Sequence, residues 1–307
     1  PAYPAPHATA WGSTFDLELD GLADVLVGSC GLSGCTELVG LHRGGNSGPS
    51  PVPADIITDP QASTSFGFSV STAGDVNGDG LPDLIVGAGL GDSAHLFLNS
   101  PEGIIPEPVQ SWQVPGAWFG FSVASAGDVN GDGYGDVIIG SMLGFSAFLY
   151  YGGPLGPGEG PNTSISTGAF GFGVSVSSAG DVNGDGLPDL YVCGMEQPNA
   201  LYLNKGNWKF EDITEAAGVS CKGWRLSGAL MVDLEGDGDL DLVLTSLRDS
   251  RNFVFLNDGK GKFTENLDKF AWVSNPRGGN VGATASDVDG DGDLGKSRNW
   301  PWEWGGR

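Results

Sequence analysis

Six acidic loops of one design carry the chemistry legible in this chain. In the clearest, Asp75-Val76-Asn77-Gly78-Asp79-Gly80-Leu81-Pro82-Asp83, oxygen-bearing side chains stand at positions 1, 3, 5 and 9, Asp75, Asn77, Asp79 and Asp83, and the Leu81 carbonyl stands at position 7. Such alternation lets carboxylates and carbonyls of a tight loop converge on one point, and Ca2+ takes six to eight oxygens at roughly 2.3–2.6 Å. Glycine at position 6 allows the positive φ that turns the chain around an ion. The same pattern gives Asp16, Glu18, Asp20, Leu22 and Asp24; Asp128, Asn130, Asp132, Tyr134 and Asp136; and Asp181, Asn183, Asp185, Leu187 and Asp189. It recurs as Asp233, Glu235, Asp237, Asp239 and Asp241, and as Asp287, Asp289, Asp291 and Asp293, where position 9 is Gly295. Glu18 and Glu235 are longer than the usual Asp or Asn at position 3, which predicts looser sites.

Two competing readings of the loops fall away. An EF-hand loop closes with Glu at position 12 between two helices, whereas Val86 holds that position here, inside a β-branched run. Asp-Gly and Asn-Gly pairs also make plain hairpin turns, but six copies in register, 52 to 59 residues apart, outweigh that explanation. Magnesium prefers a stricter octahedron that keeps several waters, so up to six Ca2+ ions are expected.

The elements that position the loops repeat with them. In the second unit Phe66–Val70 reads as a first strand, Asp83–Gly87 as a second buried on both faces, Ala94–Leu98 as a third and Pro108–Val114 as an edge strand. Four short strands every 50-odd residues, with glycine-rich turns, mark propeller blades. The expected fold is an all-β propeller of four-stranded blades. The blades span about 11–62, 63–115, 116–166, 167–222 and 223–278, with a partial sixth over 279–307, in one domain (11–307) after a Pro-rich extension (1–10). The tail 295–307 fits no blade strand.

Phe66-Gly67, Phe119-Gly120 and Phe170-Gly171 each lead through Ala-Gly into an Asp-loop and then an apolar strand. This pattern resembles FG-GAP repeats, the blades of integrin alpha-chain propellers. The resemblance implies about seven blades in a closed ring, with the calcium loop joining the first two strands of each. The fifth unit has Leu226-Ser227-Gly228 in place of Phe-Gly. It and the stretches Leu201–Thr214 and Phe255–Thr264 are similar to a related branch found in cartilage acidic protein and microbial secreted proteins.

The formal charge is -24, and more than half of the 38 acidic residues stand at ligand positions. Six divalent ions would cancel about half of that charge, so ion binding is expected to be coupled to folding. Residues 1–204 contain Arg43 and no other Lys or Arg. Nucleic acids and anionic membranes need basic patches, which argues against both as partners. The later cations, among them Lys205, Lys209, Lys222, Arg225, Lys260 and Lys262, read as a solvated face. No apolar run is long enough to span a bilayer. The chain begins with Pro, as a processed product or fragment does.

Cys30 and Cys35 are disulfide candidates closing a small loop, and Cys193 and Cys221 could staple the fourth repeat to the fifth. Asn162-Thr163-Ser164 is a glycosylation sequon. Together these favour a secreted or cell-surface protein. The first functional reading is an adhesion or recognition module for an extracellular protein or glycan, stiffened by calcium. The second is a structural subunit of an extracellular filament or matrix, completed by strands of another copy. The third, part of a secreted polysaccharide-active enzyme, lacks support. The histidines are His7, His42 and His95, no nucleophile elbow or zinc motif is present, and the carboxylates are committed to the loops. Trp112, Trp118, Trp208 and Trp224 lie near strand ends, where inter-blade packing is the expected role.

Overall fold

A computed structural model describes residues 16–266 apart from 23, 30–36, 46–47, 60, 62–64, 196–198 and 247–251. It contains five antiparallel sheets, each built from strands consecutive in the chain. The second comprises β4 (Ser69–Gly74), β5 (Asp83–Ala88), β6 (Ser93–Phe97) and β7 (Gln110–Gln113). The third is β8 (Phe119–Gly127), β9 (Asp136–Ser141), β10 (Ser146–Tyr150) and β11 (Thr163–Ser166). The fourth is β12 (Ser175–Gly180), β13 (Asp189–Cys193), β14 (Ala200–Asn204) and β15 (Phe210–Asp212). The fifth is β16 (Leu226–Val232), β17 (Asp241–Ser246), β18 (Phe253–Asn257) and β19 (Phe263–Glu265). The first departs from the four-stranded expectation: β1 (Val25–Ser29), β2 (Leu38–His42) and β3 (Asp55–Thr58) form three strands among the described residues. The strand that would precede Asp16 falls outside them.

Each sheet stacks on the next, as propeller blades do, and the first strands β4, β8, β12 and β16 lie side by side. The apolar cores sit between blades. Leu26, Val39 and Leu41 pack against Leu84, Val86 and Phe97, while Ile85 on the other face of β5 joins Val137 and Ile139 of the third sheet. This is why β5 reads as an unbroken apolar run. A helical turn α1 (Thr214–Ala217), absent from the sequence reading, ends in Gly218 at φ +82°. No helix among the described residues is long and apolar enough to cross a membrane.

The Phe-Gly and strand glycines lock blades together. β4 begins at Ser69, not at Phe66, because Ser65–Phe68 form a turn in which Gly67 takes φ +81°. The Gly67 carbonyl then faces Gly28 of the previous blade so closely that a Cβ on Gly28 would lie 2.1 Å from it. The contact repeats for Gly87 on the Gly120 carbonyl and Gly140 on the Gly173 carbonyl, each at 2.1 Å, so the third Phe-Gly pair is the buried Phe172 with Gly173 and not the exposed Phe170 with Gly171. Ser69 and Ser122 hydroxyls donate to those same carbonyls of Gly120 and Gly173 at 3.0 Å. In the fourth blade Cys193 occupies the matching position, and the fifth blade has no Phe-Gly pair to meet it. The two changes belong together: a side chain fills the space that two backbones share elsewhere. The expected staple between Cys193 and Cys221 is not formed, and both are buried thiols within the core shared with Leu226 and Phe253. Burial pushes the Cys193 thiol above its usual range.

Gly140→Ala is expected to lower stability by about 1–3 kcal/mol, since the neighbour is backbone and overpacking has no rotamer to relieve it. Gly158→Ala, where nothing lies within 4 Å, should stay within about 0.5 kcal/mol. Thermal melts of both variants in millimolar calcium make the comparison, and equal shifts would count against the interlock.

Candidate metal centre

Each described loop is folded by its own carboxylates. In the second, Asp75 Oδ1 accepts from the N–H groups of Gly78 and Asp79 at 2.7 and 3.0 Å, and Oδ2 accepts from Gly80 at 2.8 Å. The Asn77 amide donates to Asp79 Oδ2 at 2.9 Å, and Leu81 N–H donates to Asp79 Oδ1. Asp128, Asn130 and Asp132 repeat this set in the third loop; in the fourth, Asp181 accepts from Asp185 and Gly186, and Asn183 donates to Asp185. Asp233 binds Gly236 and Gly238 likewise in the fifth. Gly78 and Gly80 take φ +77° and +89°, which the turn requires.

The ninth-position aspartates do something different. Asp83 is wholly buried; its Oδ2 accepts from Val76 N–H at 2.9 Å and its Oδ1 from Asn99 N–H at 2.8 Å, just beyond the third strand. Asp136 brackets Val129 and Gly152, Asp189 brackets Val182 and Asn204, and Asp241 brackets Leu234 and Asn257. Asp24 brackets Leu17 and Gly44. Burial pushes Asp83 and Asp136 up to about 7 and Asp189 to about 6, against the pull of their backbone donors. Asp241 is raised for the same reason. A carboxylate so placed holds a proton near neutral pH unless a cation lies beside it.

The brackets are linked from blade to blade. Asn99 Nδ2 donates to the Leu17 carbonyl, Asn204 Nδ2 to Val129 and Asn257 Nδ2 to Val182, at 2.8, 2.7 and 3.0 Å. Between the second and third blades Gly153 N–H donates to Val76 at 2.9 Å. Gly152 stands there instead of Asn because a Cβ would meet the Gly135 carbonyl at 2.4 Å. One continuous hydrogen-bonded path thus runs through all five described loops. The sequence reading missed these residues, although Leu98-Asn99, Leu203-Asn204 and Leu256-Asn257 repeat visibly.

The donor set of loops two to five is oxygen only, on backbones already turned, and fits a hard cation. Among the described residues only Asp16, Glu18 and Asp24 bring three carboxylate oxygens within 4.8 Å of one another. There, however, Arg43 Nε forms an ion pair with Glu18 Oε1, a contact the sequence reading did not foresee. A cavity of about 210 Å³ beside this pair is lined by Leu17, Glu18, Arg43, Asn99 and Pro101. Asp287, Asp289, Asp291 and Asp293, with Cys30, Cys35 and His7, lie outside the described residues.

Other expectations resolve individually. Asn162 is exposed, and its Oδ1 accepts from Tyr151 N–H at 2.8 Å at the entrance to β11. His95 is buried between the Ser93 and Ser111 hydroxyls, and burial lowers its pKa. His42 Nδ1 bonds the Ser50 carbonyl. Trp112 is buried and donates to Gly158, Trp118 stacks on Phe121, and Trp224 meets Phe253 edge-on. Trp208 packs between the third and fourth blades as expected, but only on one face. It is 59% exposed at φ +67°, resting on Tyr151 from a turn between β14 and β15.

A family model described as FG-GAP-like repeat matches residues 75–139, 181–244 and 233–294, together more than half of the chain. The chain is similar to human integrin alpha-7, 33% identical over 167 residues, covering 49% of this chain and 14% of that protein. It is similar to Drosophila melanogaster integrin alpha-PS5, 34% identical over 161 residues, covering 45% and 16%. It is also similar to Xenopus laevis integrin alpha-5, 33% identical over 157 residues, covering 43% and 15%. The similarity thus spans about one seventh of the length of these relatives.

Proposed function

The chain belongs to the FG-GAP-like repeat family, and on that premise we propose that it is a calcium-binding β-propeller acting as an extracellular recognition or adhesion module. The observation that carries this reading is the bracketed Asp-loop repeated through the described blades, each tied to the next by one backbone carbonyl. In it Asp75, Asn77, Asp79, Asp83 and the Leu81 carbonyl, with their counterparts in the loops beginning at Asp128, Asp181 and Asp233, hold the ions. Bound calcium neutralises the clustered acids and cross-links each loop. The blades then present their connecting loops as one rigid surface to a protein or glycan. The likeness to integrin alpha chains supports an adhesion-type role outside the cell, and no catalytic step is assigned.

One observation favours the second reading, a filament or matrix subunit closed by a neighbouring copy. Val25 and Ile56 lie exposed on one face of the three-stranded first sheet. Sedimentation velocity in millimolar calcium and then in excess chelator separates the two. A compact monomer in calcium, which then retains immobilised matrix proteins or glycans only while calcium is present, is the expected result. Large polymers that dissolve on chelation would place the filament first.

A further inference from the structure

The first loop is built like the others except at two positions that meet. Its bracket is intact: Asp24 accepts from Leu17 N–H and Gly44 N–H, both at 2.7 Å. Asp16 accepts from Asp20 and Gly21 as Asp75 does from Asp79 and Gly80. The residue before the bracket donor is Leu98, Tyr151, Leu203 and Leu256 in the later blades, uncharged each time. In the first it is Arg43, the sole Lys or Arg of residues 1–204. At position 3, where loops two to four carry the neutral Asn77, Asn130 and Asn183, the first carries Glu18.

Arg43 Nε pairs with Glu18 Oε1, and Nη2 lies 3.8 Å from Asp55 Oδ2. Glu18 Oε2 and Asp55 Oδ2 are buried atoms without hydrogen bonds, and the guanidinium is the cation that faces both carboxylates. Glu18 is also within reach of Asp16 and Asp24. The positive charge therefore already sits on one carboxylate, Glu18, of the cluster that a metal would occupy. A guanidinium stays charged at any accessible pH, and it repels a second cation brought to the same oxygens.

We propose that the Arg43 guanidinium is the permanent cation of the first loop, taking the place that calcium holds in the others, so that the junction of the first and second blades forms without metal. This rests on the calcium reading of loops two to five. The ligand-count difference is specific: the first loop offers more carboxylates than the second, yet binds one ion fewer.

Calcium bound per chain, measured by equilibrium dialysis with atomic absorption, tests it on the full chain and three variants. Asp75→Asn should lose one ion and Asp16→Asn none. Arg43→Leu, which copies Leu98, should gain one as Glu18 is released to the loop. Loss of an ion in Asp16→Asn, or no gain in a folded Arg43→Leu, overturns the proposal. Asp16→Asn decides alone if Arg43→Leu fails to fold. No loss in Asp75→Asn would instead remove the calcium reading on which the proposal stands.

Discussion

Excess chelator is expected to abolish the cooperative thermal transition of this chain and most of its far-ultraviolet sheet signal, with added calcium restoring both. The loops bring their acids together on turned backbones, and the bracketing aspartates are buried with carboxyl groups raised toward neutrality. At pH 8 without metal, each must ionise in an apolar setting beside like charges. An ion bound at a hundred times its Kd stabilises the folded state by about 2.7 kcal/mol. Four such loops contribute about 11 kcal/mol, the same size as the whole net stability of an ordinary domain. Magnesium at equal concentration should restore less, because it holds its waters. Circular dichroism melts across a calcium titration measure the effect. A melting temperature indifferent to chelator would take the ions out of the folding account.

The period of the fold was legible because its signals are local. Asp83 opens β5 and Leu84-Ile85-Val86 continues it, an acidic stop followed by a run buried on both faces, and the structure places both where the alternation predicts. The same holds for the position of each loop between the first two strands of blades two to five. What the sequence hides is contact between blades. Phe66–Phe68 has strand-like composition, yet it turns so that the Gly67 carbonyl can reach Gly28. Nothing within a short window marks either glycine as the other's partner.

The candidate site divides the same way. Asp75, Asn77 and Asp79 announce themselves by spacing. Asn99, Asn204 and Asn257 act on carbonyls 82, 75 and 75 residues earlier in the chain, so their repetition was visible and their purpose was not. Arg43 stands out in the sequence as a solitary cation, while spacing alone makes its partner Glu18 a ligand of a looser site. Only the pairing of β2 with its neighbours brings the two together. Trp208 shows a contact that was legible and an exposure that was not: it packs on Tyr151 of the preceding blade, while a tight turn with positive φ at Asn207 and Trp208 leaves the indole's other side in solvent.

Asp136→Asn is expected to be the most damaging single substitution in the loops, and Asp132→Asn a milder one, although both remove one negative charge from the ligand set of the same ion. Asp132 is exposed, and loss of its charge costs at most the binding energy of one ion, about 2.7 kcal/mol at a hundred times its Kd. Asp136 is buried, with Oδ1 on Gly152 N–H and Oδ2 on Val129 N–H at 2.9 and 2.8 Å. An amide accepts at only one of these places and turns an NH2 group toward the other donor. The buried N–H left unpaired costs a further 1–3 kcal/mol, roughly. The damage should also travel. Gly152 precedes Gly153, whose N–H holds Val76 in the second loop, while Val129 accepts from Asn204 in the fourth blade. Loosening either end slackens a neighbouring site that has all its own ligands. Asp132→Asn should therefore lose one calcium and leave the others' affinities alone. Asp136→Asn should lose one, weaken at least one more, and lower the melting temperature on the order of 10 °C. Calorimetric titration with calcium and scanning calorimetry on both variants resolve the difference. Equal losses would reduce Asp136 to a plain ligand and leave the loops independent.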